Sequence, residues 1–269
     1  MSALMQDIDA FDVPARGIAI WFLGQNGWVI KSPGGTTIAV DPYLSDINAG
    51  RRPGIDSARR LPIFIDPENL KVDLFLCTHS HIDHACPVTI EGSHKAGTTR
   101  FAGPAETQAV FARAGVGEAE REVTFPNQVF AIGDITITGT YALPTDDTDL
   151  NHMGFVFQVD GGPRFYVTGD SAPVGLLRYA RKFEPQLMAV CINGGFSNLS
   201  HWEAAELVRE VDPELAFPCH YDMFADNTCP PHMFRASLTI QGVGEKYRLP
   251  EYETPFVYVM GEGGRGWSG

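Results

Sequence analysis

Val72-Asp-Leu-Phe-Leu-Cys77-Thr-His79-Ser-His81-Ile-Asp83-His84 carries an apolar strand directly into three histidines and an aspartate packed within six residues. Three of the chain's eight histidines fall in this hexapeptide, too dense a grouping for a chance cluster on a solvated loop. Imidazole nitrogens and carboxylate oxygens bind zinc, manganese or iron, and in an extended stretch His79 and His81 point the same way, as two ligands of one ion should. Asp83 and His84 lie past the strand end, where a turn can swing them toward a second ion. No cysteine is spaced for a zinc finger.

One such cluster cannot complete two coordination shells, so more His or Asp is expected at other strand ends. His152 precedes the apolar run GFVFQV, Asp170 ends RFYVTGD, and His220 ends LAFPC. Any of them alone reads as an ordinary hydrogen-bonded residue. With the hexapeptide, their common place at strand ends marks them as ligands.

Outward from these points the chain reads as mixed α/β. Apolar runs of strand length, bounded by Gly, Pro or Asp, predict strands at Ile18–Leu23, Gly27–Lys31, Thr36–Val40, Leu74–Thr78, Ile135–Tyr141, Gly154–Val159, Arg164–Thr168, Met188–Ile192 and Leu215–Cys219. Helices are expected at Pro104–Ala114, Val174–Phe183 and His201–Val211, the last opened by the capping box Ser200-His-Trp-Glu203. Trp28–Asp41 and Phe155–Asp170 both read strand, Gly-Gly turn, strand, Asp, which suggests an internal duplication. Two such halves would stack their sheets and leave the Asp residues on one edge. No flexible linker divides the chain, so residues 1–269 are expected to form one domain. The glycine-rich end, Gly261–Gly269, reads as loosely ordered.

Composition narrows the function. The 269 residues are 44% apolar, and the formal net charge of −13 has the wrong sign for long nucleic acid or an anionic membrane. No signal-like or membrane-spanning apolar run occurs, and five cysteines without C-x-x-C spacing read as reduced, buried thiols. A cytoplasmic location is expected.

The strand followed by H-x-H-x-D-H, a separate His, an Asp and a last His resembles the metallo-β-lactamase-fold hydrolases over nearly the whole chain. The resemblance implies a four-layer αββα sandwich, in agreement with the duplication. It implies that His79, His81 and His152 hold one metal, that Asp83, His84 and His220 hold the other, and that Asp170 bridges them. Asp41 matches the family's first motif, which supports the metal loop through hydrogen bonds. The β-lactamases themselves place Cys where Asp170 stands, so antibiotic hydrolysis is not expected. IWFLGQNGWVIKSPGGTTIAVDPYL, RRLPIFIDPENLKVDLFLCTHSHIDH, FYVTGDS and PCHYDMF are most similar to the L-ascorbate-6-phosphate lactonase group, which implies manganese, where the superfamily at large implies zinc, and a homo-oligomer; a His and Asp shell without thiolate admits iron as well.

Two divalent cations can bring a shared water's pKa to roughly 7, which removes the need for a Ser or Cys nucleophile. Asp83 and Asp170 are the candidate catalytic carboxylates, to orient the nucleophile and return a proton to the leaving oxygen. Asp222 and Tyr221, beside His220, are candidates for supporting or substrate contacts. Arg51, Arg52, Arg59 and Arg60 lie between Asp41 and the hexapeptide in an otherwise acidic protein, and guanidinium groups bind phosphate and carboxylate in bidentate fashion. The expected function is hydrolysis of a small anionic lactone or ester. Hydrolysis of a small phosphodiester and non-catalytic metal binding are the alternatives.

Overall fold

The computed structural model describes residues 3–267. The first half comprises α1 (Ala3–Ala10), β1 (Gly17–Gly24), β2 (Gly27–Lys31), β3 (Thr37–Val40), β4 (Leu74–Leu76), α2 (Pro87–Ala96), β5 (Phe101–Gly103), α3 (Thr107–Arg113) and β6 (Arg121–Val123). The second comprises β7 (Val129–Ile132), β8 (Ile135–Tyr141), β9 (Met153–Val159), β10 (Arg164–Val167), β11 (Leu187–Cys191), α4 (His201–Val211), β12 (Leu215–Cys219) and α5 (Pro231–Ile240). The chain then returns to the first sheet with β13 (Phe256–Val259) and β14 (Gly263–Arg265).

The eight-stranded sheet runs β14-β13-β1-β2-β3-β4-β5-β6 and the six-stranded sheet β12-β11-β10-β9-β8-β7. From β1 to β5 the successive pairings are antiparallel, antiparallel, parallel and parallel. From β8 to β12 the same series recurs. The duplication read from two hairpins therefore extends to five strands in each half.

β1 to β4, β11 and β12 are buried along their whole length, which is why the longer of them read as continuous apolar runs, while β6, β7 and β14 are partly exposed. Ile18, Ile20 and Phe22 of β1 face the second sheet, and Ala19, Trp21 and Leu23 face the outer helices. Trp28 fills the centre, its ring 4.5 Å from Phe22, 5.7 Å from Phe165 and 6.4 Å from Phe217. Leu4, Ile8, Ile90 and Phe111 cover the first sheet; Leu207, Val208, Phe234 and Leu238 cover the second. The result is the αββα sandwich of the metallo-β-lactamase fold.

The capping box forms as expected: the Ser200 amide donates to the Glu203 carboxylate at 2.9 Å, and the Glu203 amide to the Ser200 hydroxyl at 3.3 Å. Two expectations change. Gly175–Phe183 winds as a 3₁₀ helix, not an α-helix, and its buried residues Leu177 and Ala180 stand three apart, the spacing that the tighter helix brings to one face. The glycine-rich terminus is ordered through Trp267, whose ring packs 5.2 Å from those of Phe217 and Phe256. Gly264 serves close packing, since a Cβ there would lie 2.2 Å from the Phe256 ring. Residues 268–269 lie outside the described part. All five cysteines are free and buried. Among the described residues no helix is long and apolar enough to cross a membrane.

Candidate metal centre

The strand directions place the chemistry. The C-terminal ends of β3, β4, β10 and β12 share one edge of the sandwich with the start of β9 and the β1–β2 turn, because β9 and β2 run against their neighbours. The Met153 amide donates to the Thr78 carbonyl at 3.0 Å, joining the two sheets where His79 and His152 emerge. Asp41 and His220, each just past a strand end, turn the chain with positive φ, 44° and 65°. Gly169 does the same before Asp170, and a Cβ there would meet the Met153 carbonyl oxygen at 2.7 Å.

All seven expected ligands converge at this edge. His79, His81 and His152 present one nitrogen each within 4.8 Å of one another, and so do the donor atoms of Asp83, His84 and His220. His79 Nε2 stands 2.9 Å from His81 Nδ1, and the His79 and His152 rings stack at 4.0 Å. His84 Nε2 lies 3.2 Å from His220 Nε2. Asp170 Oδ1 lies 3.0 Å from His220 Nε2 and 3.5 Å from His84 Nε2.

Each trio is held from behind. Asp41 is fully buried and takes the Thr78 amide and the Asn26 amide, both at 2.7 Å, the Thr78 hydroxyl at 2.5 Å, and His84 Nδ1 at 2.7 Å. A third trio, Asp41, His79 and His84, also satisfies the spacing of a metal site, but these hydrogen bonds already occupy both Asp41 oxygens. Its geometry is that of a support, as the sequence motif implied. His152 Nδ1 faces the Asp170 carbonyl at 3.1 Å, and Asn198 Nδ2 donates to Asp170 Oδ2 at 2.7 Å. Gln25 Nε2 donates to Asp83 Oδ2 at 2.7 Å, and the Gln25 carbonyl takes the His220 amide at 2.7 Å.

Burial drives the His79 imidazole well below its ordinary pKa, helped by the adjacent His84 and His152 rings, and burial lowers His152 as well. Burial acts on His84 in the same direction, but Asp170, Asp41 and Asp83 outweigh it and hold His84 well above the ordinary range. Burial would raise Asp170; the His220 and His84 rings instead hold it well below the carboxylate range. His152 Nε2 is buried and makes no hydrogen bond, and Asp170 Oδ1 meets only the His220 and His84 rings. Leaving a buried nitrogen unpaired costs about 1–3 kcal/mol, and a divalent cation among these nitrogen and carboxylate donors would satisfy it. The donor set fits such an ion.

Residues 19–220 match the β-lactamase superfamily domain. The chain belongs to the β-lactamase superfamily. It is 31% identical over 241 residues to a UPF0173 metal-dependent hydrolase of Anaeromyxobacter dehalogenans, covering 83% of this chain and 82% of that protein. It is 30% identical over 211 residues to another of Myxococcus xanthus, covering 75% and 69%. The fold is similar to that of Igni18, a metallo hydrolase from Ignicoccus hospitalis, with TM-score 0.71 and 18% identity over 90% of this chain and 98% of that one.

In this superfamily member the metal edge opens into a cavity of about 430 Å³. Its lining includes His81, Asp83 and Asp170, together with Arg51, Arg52 and Asn227. Arg52 lies over the Phe196 ring, 5.5 Å from its centroid. The other arginines do not reach it. Arg59 spends its guanidinium on backbone carbonyls, donating to Leu61 at 2.8 Å, to Pro62 at 2.7 Å and to Tyr43. Arg60 is outside the lining, and its amide bonds the Met223 carbonyl at 2.9 Å. Tyr221 and Asp222 also differ from expectation. Tyr221 is buried, stacked on Phe22 at 5.5 Å, because the turn after His220 sends it back into the core. Asp222 lines a separate groove of about 440 Å³ with His232 and Arg235.

Sequence reasoning missed Gln25, Asn26, Asn198, Asp146 and Thr148. Gln25 and Asn26 were legible only as a turn. Asp146 and Thr148 sit in a polar loop between β8 and β9, where composition alone marks no role.

Proposed function

We propose that the protein is a metal-dependent hydrolase that opens a small anionic lactone or ester in the cytoplasm. The observation that carries this is the pair of donor trios meeting across Asp170 and opening on one cavity. His79, His81 and His152 would hold one divalent ion, Asp83, His84 and His220 a second, and Asp170 would contact both. Donors without thiolate suit zinc, manganese and iron. Bound there, divalent ions make water nucleophilic near neutral pH and polarise the oxygen of the bond to be cleaved.

The chain's own residues supply the rest. Asp83 and Asp170 reach the cavity and are the groups to orient water and hold the proton returned to the leaving oxygen. Gln25 fixes Asp83 and Asn198 fixes Asp170, so each carboxylate keeps one orientation. Arg51 and Arg52 form no ion pair with any acid among the described residues, leaving two guanidinium groups for a carboxylate or phosphate on the substrate. Free, buried thiols accord with a reducing compartment.

Metal-loaded protein tested on anionic lactones, neutral lactones and small phosphodiesters decides the matter. Hydrolysis of anionic lactones, lost on Asp170→Ala and with a higher KM on Arg51→Ala or Arg52→Ala, is the expected result. Turnover of phosphodiesters alone would replace the substrate class. Two bound metals with no turnover on any panel would overturn the hydrolase reading.

A further inference from the structure

Two loops from different halves of the fold meet at the mouth of the metal cavity. Arg51 and Arg52 come from the segment between β3 and β4, and Phe196 from the segment between β11 and α4. Inner lining residues such as Asp170, Asn198 and Phe224 are buried, whereas Arg51, Arg52 and Phe196 are exposed at the rim.

Phe196 occupies a strained position. Its φ is 53° and that of Ser197 is 65°, left-handed backbone that favours glycine and that a bulky side chain rarely adopts. The residue is 40% exposed, so burial offsets that strain only in part. Backbone hydrogen bonds hold the loop in this shape. The Asn198 amide donates to the Gly195 carbonyl at 3.0 Å, the Gly194 amide to the Leu199 carbonyl at 3.0 Å, and the Leu199 amide to the Ser171 carbonyl at 3.1 Å. A glycine would suit this backbone better, so the role of Phe196 lies in what its ring faces.

The ring faces Arg52. The Arg52 guanidinium lies over it, 5.5 Å from the centroid, and makes no hydrogen bond or ion pair among the described residues. A ring face attracts a cation without occupying its N–H groups as an oxygen acceptor does. The guanidinium is therefore held in place with its five donors open to an oxyanion. Holding a long side chain in advance lowers the ordering cost that binding otherwise carries.

We infer that Phe196 is a positioning residue that sets Arg52 in advance to receive the carboxylate or phosphate of the substrate at the cavity mouth. Selection of an anion is then built from both halves of the duplicated fold. This rests on the proposed anionic substrate, but the Arg52–Phe196 pair it describes is formed in the metal-free chain.

Inorganic phosphate and acetate, titrated separately into metal-free protein and followed by NMR through the Arg51 and Arg52 Nε–H signals, give the test. Binding should shift the Arg52 signal in the native chain. Phe196→Leu keeps an apolar side chain but removes the ring, and should raise Kd about two- to fivefold; Phe196→Tyr should restore the native value. In an Arg52→Ala background, read through the Arg51 signal, Phe196→Leu should have no further effect, because its action passes through Arg52. A response to phosphate alone or to acetate alone upholds the inference and identifies the oxyanion. No shift with either anion, unchanged or tighter binding in folded Phe196→Leu, or an equal loss with and without Arg52 overturns it. In metal-loaded protein, Phe196→Leu should raise KM and leave kcat unchanged. Turnover of anionic lactones with an unchanged KM in Phe196→Leu would overturn this inference and leave the hydrolase standing. Anion binding that follows Phe196 in a chain without any turnover would do the reverse.

Discussion

Asp41 shows what a single buried carboxylate does here. It gathers the Thr78 amide and hydroxyl, Asn26 and His84 at the root of the metal loop, with no solvent to replace any of them. Asp41→Ala leaves those donors unpaired beside a histidine whose pKa the surrounding carboxylates raise. Urea unfolding of the metal-free variant should show a loss of about 3–5 kcal/mol, the range for breaking a buried charged pair. Asp41→Asn keeps the volume and one acceptor oxygen, so it should lose less. A loss under 1 kcal/mol for Asp41→Ala would mean that the loop is held by its backbone alone. This residue was legible in the sequence because its motif is local to a strand end. Its pairing with three residues 15, 37 and 43 positions away was not.

At the scale of elements, the edge opposite the metal centre has its own clasp. Asp134, in the β7–β8 turn, accepts the Ser32 hydroxyl, the Gly34 amide at 2.8 Å and the Thr36 hydroxyl at 2.7 Å, all from the β2–β3 turn. These bonds tie the two sheets together. Burial acts to raise the Asp134 carboxyl, but the Ser32, Thr36 and Gly34 hydrogen bonds prevail and hold it below its ordinary value. A depressed folded-state pKa contributes stability that is present above the unfolded value of roughly 3.9 and is lost as pH falls through the folded value. Asp134→Asn should therefore melt lower than the native chain at neutral pH, with the gap closing as pH falls below 4. Equal melting temperatures at pH 7 would show that the clasp contributes nothing. Element boundaries were read well where strands are long and apolar, as at β2, β8 and β12. Short strands such as β5 and β6, three residues each, escaped because their pairing partners define them more than their own composition.

Across the whole molecule, the core between the sheets and the metal edge are distinct bodies of structure. Trp28 and its aromatic neighbours lie in the interior, while the donor trios occupy one rim. Stripping metal should therefore lower the melting temperature while leaving the far-UV circular dichroism unchanged, and added metal should raise it with concentration, about 2.7 kcal/mol at a hundredfold excess over Kd. Loss of secondary structure on chelation would show that the fold depends on the ion. The sequence by itself determined the layered fold and the seven converging side chains, because buried strands leave apolar runs and metal ligands must be His or Asp at strand ends. Only the tertiary structure decided that Arg51 and Arg52 reach the cavity while Arg59 and Arg60 do not, that Tyr221 turns into the core, and that Asp146 and Thr148 stand beside His81. Those outcomes depend on how loops from two halves of the chain pack over one rim, and a loop's path is set by distant hydrogen-bond partners that no local pattern of residues encodes.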